Sequence, residues 1–77
     1  MKICKKGTYQ SKIGENLKDF NVYIVKSSNF WDFYVAFDCD PFYGGVTFDF
    51  DNFPESKSVN DAVKLAEKKL LNLKWID

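Results

Sequence analysis

The stretch WDFYVAFDCDPFYGGVTFDFD, residues 31–51, decides the expected fold because it reads as two alternating strands joined by a loop. Apolar side chains stand at every second position from Trp31 to Phe37, and again from Val46 to Phe50. A period of two places one set of side chains on a buried face of a sheet and the other set on an outward face. We therefore predict that the Trp, Phe and Val side chains of both strands are core residues.

The residues before this stretch predict further strands. FNVYIVK, residues 20–26, alternates apolar and more polar side chains, and Val22 and Ile24 share the predicted core face. Residues 20–51 are therefore expected to form a β-meander. Residues 1–19 are more weakly patterned, with glycines among lysines, and predict an edge strand or an arm.

The segment after the meander predicts one helix over residues 58–75. Ser58 has the spacing of an N-cap residue, with the acid Asp61 three positions later. The apolar residues that recur at helical spacing are Val59, Ala62, Val63, Ala66, Leu70 and Leu73. A stripe of this width covers one face of a small sheet. The expected fold class is α+β, a three- to four-stranded antiparallel sheet packed by one C-terminal α-helix.

Length and charge bound the class of protein. The chain has 77 residues, which suffice for a single domain, residues 1–77, and leave nothing for a second core. Eleven lysines balance eleven acidic residues, so the formal net charge is zero. Nonspecific nucleic-acid binding needs a strongly basic domain, so nucleic acid is not the expected partner. The lysines of the N-terminus and the helix leave such a contact as a secondary alternative.

Residues that carry out catalysis are sparse in this chain. It has no histidine, so neither Cys4 nor Cys39 has the usual base beside it. The pair Gly44-Gly45 precedes a predicted strand, whereas a phosphate-binding loop precedes a helix. We therefore predict that the protein is not an enzyme, has no catalytic residues and uses no cofactor.

Two pairs of carboxylates raise the question of a metal site. Asp38 with Asp40, and Asp49 with Asp51, are spaced so that both members lie on one face of a strand, about 7 Å apart. A calcium loop also needs further oxygen ligands, a glycine at its sharp turn and a terminal glutamate, which the segment from Asp49 lacks. We therefore predict no metal site.

The expected location of the protein follows from what its sequence lacks. No apolar leader follows Met1, and no apolar run approaches the ~18 residues of a membrane span. Two cysteines do not make a disulfide framework, so both are expected to be reduced thiols. We therefore expect the protein in the cytoplasm of the host cell, away from membranes.

The outward face of the predicted sheet is the surface most informative about function. Its side chains are acidic or aromatic, and the candidate binding residues are Tyr23, Asp32, Tyr34, Asp38, Asp49 and Asp51. Carboxylates steer association with a basic surface, and tyrosine is a frequent hot-spot residue. We therefore predict docking on a host protein with a basic surface.

A second contact is predicted on the helix. At helical spacing, Leu71 and Trp75 fall one turn apart and away from the core stripe, on the side that carries lysines. They either tuck against the end of the sheet or form an exposed apolar contact, which would serve a partner or a homodimer.

Part of this pattern resembles known families. From Tyr23 to Leu73, the order of strand, strand, glycine-containing turn and strand, followed by Ser58 and a segment beginning Asp61-Ala62, resembles the HicB-type antitoxin domain. That resemblance implies a module that masks a small toxin. A compact, leaderless, histidine-free domain with an acidic sheet face is also similar to many phage-encoded anti-defence proteins, including the anti-CRISPR group. This second resemblance implies an inhibitor of a host defence or nucleic-acid-handling protein.

The expected function is therefore binding rather than catalysis. We expect a non-enzymatic protein-binding inhibitor, encoded by a phage or mobile element, that docks through its acidic, aromatic sheet face. An antitoxin-like module is the first alternative, and a nucleic-acid contact through the lysine-rich helix and N-terminus is the second.

Overall fold

Within the described part of the chain, the fold is an antiparallel sheet of five strands with one helix packed on one face. A computed structural model describes residues 2–26, 31–38 and 45–76 of the chain. The elements in chain order are β1 (Lys2–Ile13), β2 (Asn16–Lys26), β3 (Phe33–Asp38), β4 (Val46–Phe48), α1 (Val59–Lys69) and β5 (Leu71–Ile76). The predicted α+β class, antiparallel sheet and helix near the C-terminus are confirmed.

The strands lie in the order β4-β3-β2-β1-β5. The first four form a meander in which each strand pairs with the next, and the β1–β2 turn is closed by Gly14 at a φ of 63°. Helix α1 then crosses from the β4 side of the sheet to the β1 side. There β5 pairs antiparallel to β1 and so runs in the same direction as β4.

The core lies between the sheet and α1. In β2 and β3 the predicted alternation is confirmed, because Val22, Ile24 and Val35 are buried on the helix side. Ala62 and Ala66 are the fully buried residues of α1. Ser58 caps the helix by accepting a hydrogen bond of 3.1 Å from the backbone N–H of Asp61.

The helix ends earlier than its apolar spacing predicts. It stops at Lys69 rather than near residue 75, and Leu70 takes an extended backbone while its N–H still bonds to Ala66 O at 2.9 Å. The following residues form β5. Here strand pairing overrides the local preference for helix. One edge of β1 carries backbone donors and acceptors that need partners, and pairing with β5 provides them along a whole strand.

The N-terminal residues are also placed differently from the prediction. Residues 1–19 were expected to form an edge strand or an arm, yet β1 lies inside the sheet between β2 and β5. Its pairing with β5 runs only from Lys6 to Gln10. Beyond Gln10 the β1–β2 hairpin continues as a two-stranded ribbon whose residues are exposed, including Ile13 and Leu17.

The second half of the opening stretch has the opposite phase from the one predicted. Phe48 pairs with Ala36 and so lies on the face away from α1, and Phe50 follows the end of the strand and is 58% exposed. The core position is filled instead by Phe53, whose ring lies 5.3 Å from that of Phe37. Trp31, also predicted as core, is 87% exposed. Cys39, Asp40 and the predicted loop through Gly44 lie outside the described residues.

A close approach of two backbones holds β5 in place. Gly7 pairs with Trp75, and a Cβ at Gly7 would lie 2.7 Å from Lys74 O and 2.8 Å from Trp75 Cε3. The absence of a side chain at Gly7 therefore lets the indole ring lie on the strand. The indole Nε1 donates a hydrogen bond of 3.1 Å to Glu67 of α1, so one side chain joins the helix to two strands.

Gly7→Ala should destabilise the protein by displacing β5. The added methyl group overlaps both backbone and ring, and overpacking of this kind costs about 1–3 kcal/mol in the free energy of unfolding. Urea unfolding followed by Trp75 fluorescence in a Trp31→Phe background measures the effect. Thr8→Ala, at the next position of β1, is the control and should change the free energy of unfolding far less; equal losses would contradict the role of Gly7.

Candidate protein-binding surface

The face of the sheet away from α1, called the open face below because α1 does not cover it, is organised in rows that cross the strands. At its centre, Val25 and Ala36 are fully buried. One row, from β4 to β5, consists of Phe48, Ala36, Tyr23, Lys6 and Ile76. The row on one side of it consists of Val46, Asp38, Asn21, Thr8 and Lys74. The row on the other side consists of Tyr34, Val25 and Ile3. Aromatic groups therefore lie toward β4 and lysines toward β5.

Three aromatic rings form a cluster at the β3–β4 side of this face. The ring of Tyr34 meets those of Phe48 and Phe50 edge-on, each at 5.7 Å between centroids. Phe48 and Phe50 stack on each other at 5.4 Å, with their planes 6° apart. Because Phe50 is largely exposed, the cluster offers an apolar surface to solvent. This aromatic cluster of Tyr34, Phe48 and Phe50 is the most distinctive apolar feature of the open face.

Asp38 is the carboxylate that lies on the open face beside this cluster. It accepts a hydrogen bond of 2.7 Å from the Tyr23 hydroxyl and another of 2.8 Å from Asn21 Nδ2. The hydrogen bond to Asp38 raises the pKa of Tyr23, with smaller contributions from burial and from the charge of Asp38. Lys6 Nζ lies 6.0 Å from the centre of the Tyr23 ring. Tyr23, Tyr34 and Asp38, predicted to share one face, do so.

The other three predicted aspartates do not join them. Asp32 lies before β3, at the end of that strand opposite Asp38, where it forms a salt bridge of 3.0 Å with Lys57. Asp49 follows β4 in a turn, and the hydrogen bond that it accepts at 2.9 Å from Asn52 Nδ2 lowers its pKa. Asp51 is exposed in the same turn. The prediction of a single acidic face is therefore wrong, because β4 ends before Asp49 and Asp51.

Leu71 and Trp75 are separated by the strand that replaces the end of the predicted helix. Trp75 packs against the core and carries Lys5 over its ring at 5.4 Å from the centroid, so it is tucked against the sheet. Leu71 stays exposed at the start of β5. The two residues therefore do not make a joint apolar patch.

Charge is unevenly distributed along the sequence. Residues 27–61 hold one lysine, Lys57, and seven acids, which are Asp32, Asp38, Asp40, Asp49, Asp51, Glu55 and Asp61. The remaining ten lysines lie in the rest of the sequence, which supplies β1, β2, β5 and most of α1. In space the separation is only partial, because Lys57 pairs with Asp32, and Lys69 donates a hydrogen bond to the backbone oxygen of Asn52, near Asp49.

Sequence reasoning missed Phe48, Phe50 and Lys6 as residues of the open face. The alternation in β4 separates two faces but does not say which one meets the helix. A signal for the true phase lies further on, in Phe53, a large apolar residue close enough to β4 to take the core position. Lys6 was missed because β1 was not recognised as a strand between two others.

Within the described ranges, no three His, Cys, Asp or Glu residues come together in a way that could hold a metal ion. Cys4 is exposed and its thiol is free. In the same ranges, no helix combines the length and apolar character needed to cross a membrane.

Comparisons with protein families, curated proteins and solved structures found no match to this chain.

Tyr23→Phe should lower the free energy of unfolding by about 1 kcal/mol at neutral pH, because it removes the hydrogen bond to Asp38. Since the folded pKa of Tyr23 is raised, this stabilisation is complete below the ordinary tyrosine pKa of about 10 and is lost as pH rises through the folded value. Absorbance at 295 nm should show one late-titrating tyrosine fewer in this variant. Tyr34→Phe, which removes a hydroxyl from the same face, is the control; an equal loss of unfolding free energy in both variants would contradict the role of the hydrogen bond to Asp38.

Proposed function

We propose that this protein is a non-enzymatic inhibitor that binds another protein through the β3–β4 side of its open face. The observation that carries the proposal is the aromatic cluster of Tyr34, Phe48 and Phe50 on the solvent side of the sheet. Protein interfaces combine aromatic anchors at the centre with a polar or charged rim. Asp38 and the exposed Asp51 supply such a rim at this cluster.

The partner is expected to present a basic surface. Asp38 on the same face and Asp51 next to Phe50 in the sequence place negative charge near the aromatic cluster, and complementary charge speeds association and excludes partners of like charge. Basic grooves are common on proteins that handle nucleic acids, because they hold phosphates. A host defence or nucleic-acid-handling protein is therefore the proposed target, as also implied by the similarity to phage-encoded anti-defence proteins.

The experiment compares two variants that change the charge equally. Phe50→Lys with Asp51→Lys alters the proposed surface, whereas Ile13→Lys with Glu15→Lys alters the exposed tip of the β1–β2 hairpin. Both pairs replace one exposed apolar residue and one acid by lysine. The immobilised proteins are exposed to nuclease-treated lysate of a bacterial host, and the captured protein is then purified for affinity measurement.

The change at residues 50 and 51 should weaken binding by about tenfold or more, while the hairpin change should leave it within about twofold. An oligonucleotide should compete with the wild-type protein if the target surface is a nucleic-acid groove. Equal affinity of both variants would refute docking through this side of the face. A small toxin as the captured protein would favour the antitoxin alternative.

A further inference from the structure

We propose that a polar cavity at the junction of β1 and β5 binds a small zwitterion of the free α-amino acid class. The cavity has a volume of about 430 Å³, and its lining includes the polar side chains of Thr8, Gln10, Asp19, Asn72 and Lys74. The pairing register places these five residues on the open face, around β1. None of them belongs to the aromatic cluster, so this inference is independent of the proposed docking function.

An irregularity in the pairing of β1 with β5 shapes one wall of the cavity. Thr8 pairs with Lys74 and Gln10 with Leu71, so a single residue of β1 lies opposite two residues of β5. One of the two, Asn72, has a φ of 52°, a left-handed conformation that asparagine adopts more readily than most residues. Bulges of this kind redirect side chains, and here the Asn72 amide turns toward β1.

A chain of hydrogen bonds crosses the cavity from β5 to β2. Asn72 Nδ2 donates to Gln10 Oε1 at 2.7 Å, and Gln10 Nε2 donates in turn to Asp19 Oδ1 at 3.0 Å. Each amide has a second N–H and the carboxylate has a second oxygen, so the row offers further donors and acceptors to a ligand. Because the side chains already hold one another in place, little of their conformational freedom is lost when a ligand binds.

Opposite charges lie on the two sides of β1 at this cavity. Asp19 belongs to β2 and Lys74 to β5, and these strands are two spacings, about 10 Å, apart. A charge-assisted hydrogen bond at each end takes up about 2.8 Å, which leaves about 4 Å between the two bonded atoms of a ligand. The ammonium nitrogen and a carboxylate oxygen of an α-amino acid are about 3 to 4 Å apart. The flexible four-carbon stem of Lys74 covers the step of one row between the two residues.

This pair of charges favours a zwitterion over other small polar molecules. A neutral sugar would use the amides but would leave both charged groups without a partner, and a simple anion would be repelled by Asp19. Asp19 and Lys74 are exposed, so each contributes modestly. A ligand of about ten non-hydrogen atoms should therefore bind with a Kd on the order of 1 mM.

An NMR titration of the backbone amides with L-glutamine tests the site. The side-chain amide of this probe can pair with those of Gln10 and Asn72, while its α-groups bridge Asp19 and Lys74. Saturable shifts should be largest at these four residues. No saturable shift up to about 50 mM would overturn the proposal, as would shifts largest elsewhere or equal affinity for D-glucose.

Charge-removing variants test the two ends of the site. Asp19→Asn keeps an oxygen for the hydrogen bond from Gln10 but loses the charge, and it should weaken L-glutamine binding about threefold. Lys74→Gln should have a similar effect. Glu15→Gln and Lys18→Gln, in the exposed hairpin ribbon, are the matched controls and should leave the Kd unchanged. Losses as large in the controls as in the cavity variants would contradict the site.

Ligands that lack one charge show which end of the zwitterion each residue binds. N-Acetyl-L-glutamine has no ammonium group, so Asp19→Asn should bind it at least as well as the wild type does. L-Glutaminamide has no carboxylate, so Lys74→Gln should bind it at least as well as the wild type does. If each variant instead loses affinity about threefold for the analogue that lacks its partner group, the assignment is wrong. Since only the purified chain and small ligands are needed, failure here leaves the proposed docking function untouched.

Discussion

The contact between the Trp75 ring and the bare backbone of Gly7 is the constraint on which the rest of the structure depends. It fixes β5 beside β1 and makes β1 an interior strand. It also requires the chain to leave the helix by Leu70, because a longer helix would carry the indole away from the sheet. The hydrogen bond from Trp75 to Glu67 then links α1 to the contact between β1 and β5.

The sheet has apolar groups on both faces, and they have different consequences. On the helix side, Phe37 and Phe53 complete a core that α1 covers. On the open face, the part of the chain that the structure describes places no helix above the stacked pair of Phe48 and Phe50. An exposed aromatic cluster next to carboxylates is a surface suited to recognition. The proposed function arises from this asymmetry between the two faces.

The sequence predicted the parts of the fold that depend on local pattern. Val22, Ile24 and Val35 alternate within strands that pair with their neighbours in sequence, so their buried face could be inferred. Ser58 was likewise recognisable as a helix cap. In contrast, the phase of β4 depends on whether Phe48 or Phe53 occupies the core position. Tertiary packing decides this, not the local pattern.

The prediction that the helix extends to residue 75 was wrong because two periodicities overlap at the end of the chain. Leu70 and Leu73 continue the helical stripe, yet Leu71, Leu73 and Trp75 also alternate with Asn72 and Lys74 as a strand would. Only the presence of an unpaired strand distant in sequence decides between them. The prediction of the candidate surface was wrong for a related reason. Asp49 and Asp51 lie together with Asp38 only if β4 is long enough to include them.

The pairing of β1 with β5 also orders the folding reaction. Gly7 and Trp75 are nearly the whole sequence apart, whereas β1, β2, β3 and β4 pair through short connections. Closing so long a loop is entropically slow, so contacts of low sequence separation are expected to form before it. The meander can therefore assemble while one edge of β1 is still unpaired. In a newly synthesised chain, that edge is covered only when β5 forms.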